Sequence, residues 1–363
     1  MADPVIEELD TFLNENWDPD ITVEEWWDRL GNAGWSAPSW PADDFGKGLG
    51  RAETVKVQER ITEFGALGAP GGLGLLLAGP TIVGHGSPEQ KERFLRDIVT
   101  GQKAWCQLFS EPGAGSDLAG LNCKAERDGD EWIINGQKVW ASAGHIADLG
   151  MLIARTDAKQ PKHSGISYFG IDMHQEGAIE IRPLKEMTGK ALFNEVFLTD
   201  ARVADDDMIG GLNNGWRVTN TTLAAERAGL GAGGGHAAAS AAIPGTVMGH
   251  LSRRAGDFAP SGGKKKRRSG GPAGAPGGTS RMLVDLAKGN GTIDDPNIRQ
   301  DLMGLHSMND LARMSNLRVK AAKAAGMEPP PVANIAKLSM SNIVRLSRDL
   351  GLRILGPLGT LHS

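Results

Sequence analysis

The sequence predicts an α+β multidomain chain. It has an N-terminal helical domain over residues 1–102, a middle antiparallel β-barrel over 103–210, and a C-terminal antiparallel helical bundle over 211–363. Apolar residues recur at helical spacing up to about residue 102 and then alternate at strand spacing, with frequent turn signals, to about 210. Long alanine- and leucine-rich helical runs follow. The 363 residues suit two or three domains of roughly 100–200 residues each.

In the first region, Val5, Ile6, Leu9, Phe12 and Leu13 have the spacing of one helix face. A second helix starts after Thr22, an N-cap with Glu25 at the capping-box position. Ser87-Pro88-Glu89-Gln90 combines an N-cap, proline at the first helical position and a glutamine three residues on. That helix runs through Phe94, Leu95 and Ile98 and stops near Gly101. Trp26, Trp27, Trp35 and Trp40 read as core and rim of this domain rather than as a ligand-stacking box.

Strand-like segments follow at 104–109, 123–127, 131–140, 148–155, 166–172, 178–183 and 194–198, the pattern of a small antiparallel barrel or sandwich. The first opens into Ser110-Glu111-Pro112-Gly113-Ala114-Gly115-Ser116-Asp117. Small residues there let the backbone approach a ligand, and Ser110 and Ser116 supply hydroxyls. Such a loop suits a flat, hydrogen-bonding, phosphate-bearing ligand, and taken alone it reads equally as a surface turn. Trp132–Trp140 reads as a hairpin around an Asn135-Gly136 turn, followed by the small-residue loop Ala141-Ser142-Ala143-Gly144.

Helical runs at 216–256, 282–288, 295–326 and 331–356 make the last region. A Gly/Lys-rich loop over 256–280 contains Lys264–Arg268 and cannot bury apolar area. The basic pentad reads as a solvated loop. The alternative is an anion contact, to CoA phosphates, a partner protein or nucleic acid. The formal net charge of −5 gives no global basic field for nucleic acid or membrane. Cys106 and Cys123, the only cysteines, read as reduced core thiols of a cytoplasmic protein. No long apolar span is visible, and the eight histidines show no metal-ligand spacing.

Taken in order, the S-E-P-G-A-G-S-D loop, the W-I-I-N-G-Q-K-V-W stretch, Ala154-Arg155-Thr156 and Arg202-Val203 resemble the acyl-CoA dehydrogenase family over nearly the whole chain. The resemblance implies bound FAD and α,β-dehydrogenation of an acyl-CoA thioester. A carboxylate removes the α-proton, the β-hydrogen leaves as hydride to flavin N5, and electrons pass to an electron-transfer flavoprotein. It places Phe109 and Ser110 at the flavin edge, Trp140 and Ser142 against the ring, and Ser116 nearer the CoA moiety. Ser110 and Ser142 stand where many relatives have threonine, and either hydroxyl can donate. Arg353-Ile354-Leu355-Gly356-Pro357 resembles the stretch that meets the FAD adenosine diphosphate of an adjacent subunit. Here Arg353 stands for a common glutamine and Pro357 for a common glycine. The family further implies a homo-oligomer, tetramer or dimer, or a hetero-oligomer with a paralogous subunit.

Many members carry the catalytic glutamate after a tyrosine beyond the R-I-L-G region, and Gly359–Ser363 stops short of that point. Isovaleryl-type members carry it on an earlier helix, immediately before an arginine. Glu226 before Arg227 matches that position, and Arg227 matches a substrate-pocket arginine. The apolar neighbours Leu223, Ala224, Ala225, Ala228 and Leu230 should raise the Glu226 pKa from about 4.3 toward about 6–7. The other reading of Glu226 is a structural pair with Arg227 or another helix. Two further readings keep the fold. One is a non-catalytic or partner-dependent flavin- or CoA-binding subunit. The other is a nucleic-acid-associated flavoprotein, which rests on the basic pentad alone and is opposed by the acidic net charge.

Overall fold

A computed structural model describes residues 3–187, 189–231, 241–260, 278–327 and 332–361. N-terminal helices, a middle sheet domain and C-terminal helices follow one another in the predicted order. The chain divides into two compact units, one of residues 1–226 and 237–262, the other of 227–236 and 263–363.

Local chemistry sets the first helices. Asp3 accepts from the Val5 N–H to start Pro4–Asn16, and Thr22 accepts from the Glu25 N–H to start Val23–Asn32. Ser87 and Gln90 exchange bonds in a full capping box at the head of the helical run Pro88 to Val99. Trp26, Trp27 and Trp35 are buried in one cluster with Leu9, Leu13 and Leu30. The Trp26 and Trp27 indoles donate to the Leu67 and Gly68 carbonyls, so these rings serve as satisfied core.

The sheet has eight strands in the order β6-β7-β3-β2-β4-β5-β8, with β1 paired to β4. They are β1 Trp105–Leu108, β2 Lys124–Asp128, β3 Glu131–Ser142, β4 Leu149–Arg155, β5 Ile166–Asp172, β6 Ile179–Leu184, β7 Phe193–Ala204 and β8 Met208–Ile209. Most pairs are antiparallel, while β1 lies parallel to β4 and β2 meets it at one parallel pair. Strand β4 is buried on both faces. Met151 and Ile153 enter the core built with the N-terminal helices, and Leu152 and Ala154 enter the core of the sheet. That is the period-two alternation of a strand between two apolar layers.

Asn135-Gly136 does not turn. Strand β3 runs straight through it, and the hairpin closes earlier, at Gly129-Asp130 between Asp128 and Glu131. Asn135 instead brackets a bulge in β7: its side chain donates to Asp200 Oδ1 and accepts from the Asp200 N–H, each at 2.9 Å. Gly136 is required by proximity, since a Cβ there would lie 2.7 Å from the Cβ of Cys123, the residue just before β2.

The helical expectation for 216–256 also gives way. The helix Gly215–Gly231 is followed over 241–260 by irregular chain with one short 3₁₀ turn, Ala255–Asp257. Pro244 together with left-handed Gly245 and Gly249 excludes a helix there. The Val23 and Glu24 N–H groups donate to the Arg253 and Leu251 carbonyls, and Ala242 and Ala255 join the tryptophan core. Asp148, nearly fully buried, fastens this segment by accepting from the Thr246 N–H and hydroxyl, the Ala104 N–H at 2.8 Å and His174 at 3.3 Å. Desolvation opposes its charge, but these bonds outweigh it and hold the carboxyl below its ordinary range.

The second unit contains Gly278–Gly289, Pro296–Ala324 and Val332–Leu355, packed through Leu283, Ile298, Leu302, Leu305, Leu350 and Ile354. Among the described residues no helix is long and apolar enough to cross a membrane. The basic pentad lies outside the described residues.

Burial pushes the Cys106 thiol up to about 12 and the Cys123 thiol up to about 11. Both therefore stay protonated and enclosed at mildly alkaline pH. A disulfide-exchange reagent is expected to leave both untouched in the native protein and to titrate both after denaturation. Fast release of one equivalent from folded protein would contradict this.

Candidate functional site

Two loops at the edge of β1 and β3 meet through the main chain: the Val139 N–H donates to the Ser110 carbonyl at 2.8 Å. The first loop follows β1 and folds back on itself, with Glu111 and Ala114 exchanging backbone bonds at 2.9 and 3.1 Å. The second ends β3. Lys138 pairs with Val196 and Ala141 with Asn194, so three residues advance against two and the strand bulges. Trp140 sits in that bulge at φ 63°, in the left-handed region a bulky side chain rarely takes. The bulge turns its indole outward, where it is 62% exposed and meets Phe193 edge-on at 5.9 Å. Ser142 lies two residues on and is half-buried, with left-handed Ala143 after it.

Beneath the loops lies an ion pair that sequence reading passed over. Lys138 is fully buried, and its Nζ donates to Glu111 Oε1 at 2.9 Å and to the Phe109 carbonyl at 3.1 Å. Glu111, also buried, accepts from the Cys123 and Asn122 N–H groups at 2.9 and 2.7 Å. One carboxylate and one ammonium thus tie the end of β3, the first loop and the start of β2 into one block. A signal for it existed. Lys138 falls in phase with the inward residues Trp132 and Ile134, and a lysine on an inward register needs a buried partner.

The structure brings Phe109, Ser110, Trp140 and Ser142 together on this block. Phe109 is buried against Tyr168, ring centroids 5.9 Å apart. The Ser110, Ser116 and Ser142 hydroxyls make no hydrogen bond among the described residues. Ser116 is exposed at the tip of the first loop. Beside it Asp117 accepts from Lys162 Nζ at 2.7 and 2.9 Å. A hollow of about 410 Å³ lined by Lys124, Glu126, Arg155 and Lys162 lies on this side. An exposed indole flanked by unused hydroxyls suits a flat ring with a polar edge, and the small-residue loop leaves room for it.

Glu226 and Arg227 lie on the helix Gly215–Gly231. Glu226 is half-buried and stands one turn beyond Thr222, which is buried and bonded to Thr81 at 2.8 Å and Tyr168 at 3.3 Å. Of the apolar neighbours expected around it, Leu223 and Ala225 are half-buried and pack on the core, while Ala224 is exposed, as is Arg227. Arg353, Gly356 and Pro357 belong to the second unit. There Arg353 pairs with Asp301, and Gly356 takes a left-handed turn ahead of Pro357.

Residues 2–102 match the family model for the acyl-CoA dehydrogenase N-terminal domain, and residues 106–201 the model for the middle domain. Over 334 residues the chain is 34% identical to the acyl-CoA dehydrogenase IpdE1 of Mycobacterium tuberculosis, covering 92% of this chain and 76% of that protein. It is 48% identical over 204 residues to the acyl-CoA dehydrogenase FadE34 of the same organism, covering 56% of this chain and 28% of FadE34. Among solved structures, the ChsE4-ChsE5 complex of M. tuberculosis superposes with a TM-score of 0.67 at 25% identity, over 100% of this chain and 87% of that one.

Proposed function

This chain belongs to the acyl-CoA dehydrogenase family, and from that premise we propose that it is an FAD-dependent subunit that α,β-dehydrogenates an acyl-CoA thioester. The observation that carries the reading is the exposed left-handed Trp140 beside the unused hydroxyls of Ser110 and Ser142, on a block clamped by Lys138 and Glu111. In this reading Trp140 covers one face of the isoalloxazine, and Phe109, Ser110 and Ser142 hold its edge. FAD, when bound, supplies the acceptor for the β-hydride at N5. Ser116 and the cations Lys124, Arg155 and Lys162 suit the phosphates of CoA. Glu226 takes the α-proton onto its carboxylate, with Arg227 orienting it or the substrate. Arg353, Gly356 and Pro357 meet the adenosine diphosphate of an adjacent subunit's FAD.

A partner chain is part of the proposal. Leu311, Met314, Leu317, Ile335, Leu338 and Val344 on the two long C-terminal helices are exposed, an apolar face that a further subunit would cover. The ChsE4-ChsE5 assembly of related fold favours a paralogous subunit there, alongside the homo-oligomer. The electron acceptor on this reading is an electron-transfer flavoprotein.

Purified protein, alone or co-expressed with its paralogue, is expected to be yellow. Anaerobic addition of acyl-CoAs, straight-chain, branched and ring-bearing, is expected to bleach the visible flavin band for one class. Protein that stays colourless after reconstitution with excess FAD would overturn the reading.

A further inference from the structure

We propose that Tyr168 is a positioning residue for the reaction, holding the helix that carries Glu226 at a fixed setting against the loop that carries Ser110. It is the only tyrosine in the chain, and it is fully buried on β5. Its ring meets the ring of Phe109, the residue before Ser110, edge-on with centroids 5.9 Å apart. Its hydroxyl reaches Thr222 at 3.3 Å on the helix Gly215–Gly231. One side chain thus touches both parts of the site, and Tyr168, Phe109, Thr222 and Glu226 all lie in the first unit.

The hydroxyls form a chain with one direction. Thr81 donates to the Leu77 carbonyl at 2.8 Å, which spends its hydrogen. Thr222 must therefore supply the hydrogen of the 2.8 Å bond to Thr81, and the phenol supplies that of the bond to Thr222. The Val218 carbonyl, at 3.4 Å, is the longer alternative for the Thr222 hydrogen. Burial pushes the phenol pKa up, so Tyr168 keeps the proton it donates.

The chain fixes the helix where shape alone does not. At the helix start Gly215 lies on β5, and a Cβ there would stand 2.5 Å from the Ser167 carbonyl carbon. Thr222 is two turns further along the same face, and Glu226 is one turn beyond that. A contact at Gly215 alone leaves the far end free to pivot. The bond to Tyr168 removes that freedom one turn short of the carboxylate. His85 also meets Thr221 at 2.7 Å, so the helix keeps a polar tie when the phenol is removed.

The inference rests on the function proposed above, with Glu226 as base. Thr222→Val keeps the side-chain shape and loses the hydroxyl, whereas Thr222→Ser keeps the hydroxyl and loses a methyl. Bleaching at saturating acyl-CoA is expected to slow roughly tenfold in Tyr168→Phe and Thr222→Val with FAD still bound, and to stay near the parent rate in Thr222→Ser. A packing role predicts the reverse order for the two Thr222 variants. In flavin-free protein a carbon-13 label at the tyrosine Cζ gives one resonance, expected to shift in Thr222→Val and to hold in Thr222→Ser. Where Glu226→Gln has lost bleaching, a parent-like rate in Tyr168→Phe, or a faster rate in Thr222→Val than in Thr222→Ser, overturns the positioning role alone. An unmoved resonance in Thr222→Val overturns the bond on which that role depends. A parent that never bleaches, or a Glu226→Gln variant that bleaches at the parent rate, overturns the proposed function and this inference with it.

Discussion

Glu226→Gln is expected to abolish bleaching of the flavin by acyl-CoA while leaving the cofactor bound. Glutamine matches glutamate in shape and helix propensity, so the helix Gly215–Gly231 has no reason to move. What the substitution removes is the ability to take a proton. A positioned general base contributes about 10²–10⁴ in rate, and the half-reaction of the variant should fall by at least that range. The inward face of this helix is fixed one turn earlier by the buried Thr222, so a half-buried Glu226 is carried on a rigid element. Arg227→Gln separates the two roles open to the pair. If Arg227 only orients Glu226, its loss slows bleaching without weakening acyl-CoA binding; if it contacts substrate, binding weakens too. Unchanged bleaching in Glu226→Gln would remove this residue from the chemistry and leave the partner-dependent reading of the fold.

The features legible in the sequence are those whose causes lie within a few residues. The N-caps at Thr22 and Ser87 form as the motifs predict, because a cap needs only its own first turn. Strand β5 lies where its alternation placed it, Ile166–Asp172. The misreadings have causes far along the chain. Asn135-Gly136 carries a local hairpin signal, yet its geometry is dictated by the bulge at Asp200 on the neighbouring strand. The alanine-rich stretch near 241 scores as helix until Pro244, Gly245 and Gly249 are weighed together with their docking on Val23 and Glu24. At the site, the loop serines and Trp140 were visible because small residues and an aromatic stand out locally. The Lys138–Glu111 pair was not, since its partners are 27 residues apart, and the inward phase of Lys138 calls for a buried partner without naming Glu111 as that partner. Likewise nothing local distinguishes Trp105 from any other strand tryptophan; that its buried N–H has no hydrogen-bond partner among the described residues emerges only in three dimensions.

Lys138→Met is expected to destabilise the protein by about 3–5 kcal/mol, the cost of stranding one member of a buried ion pair. Removing the ammonium leaves the Glu111 carboxylate enclosed with only the Asn122 and Cys123 N–H groups, and leaves the Phe109 carbonyl without its donor. Glu111→Gln is the milder change in shape: its amide oxygen still accepts at one of the two carboxylate positions, while the amide NH2 at the other faces an N–H donor and the charge is lost. The double variant should be less damaged than the two single losses added together, since each single change strands a charge that the other removes. Urea unfolding of the four proteins measures this coupling. The same variants test the site, because the pair clamps the loops that carry Ser110 and Trp140 to each other. Glu111→Gln, where folded, is expected to release flavin on desalting and to need excess FAD to stay yellow. Additive losses of stability with flavin retained would show that the pair is incidental, and that the loops are placed by the Val139–Ser110 backbone bond and the bulge alone.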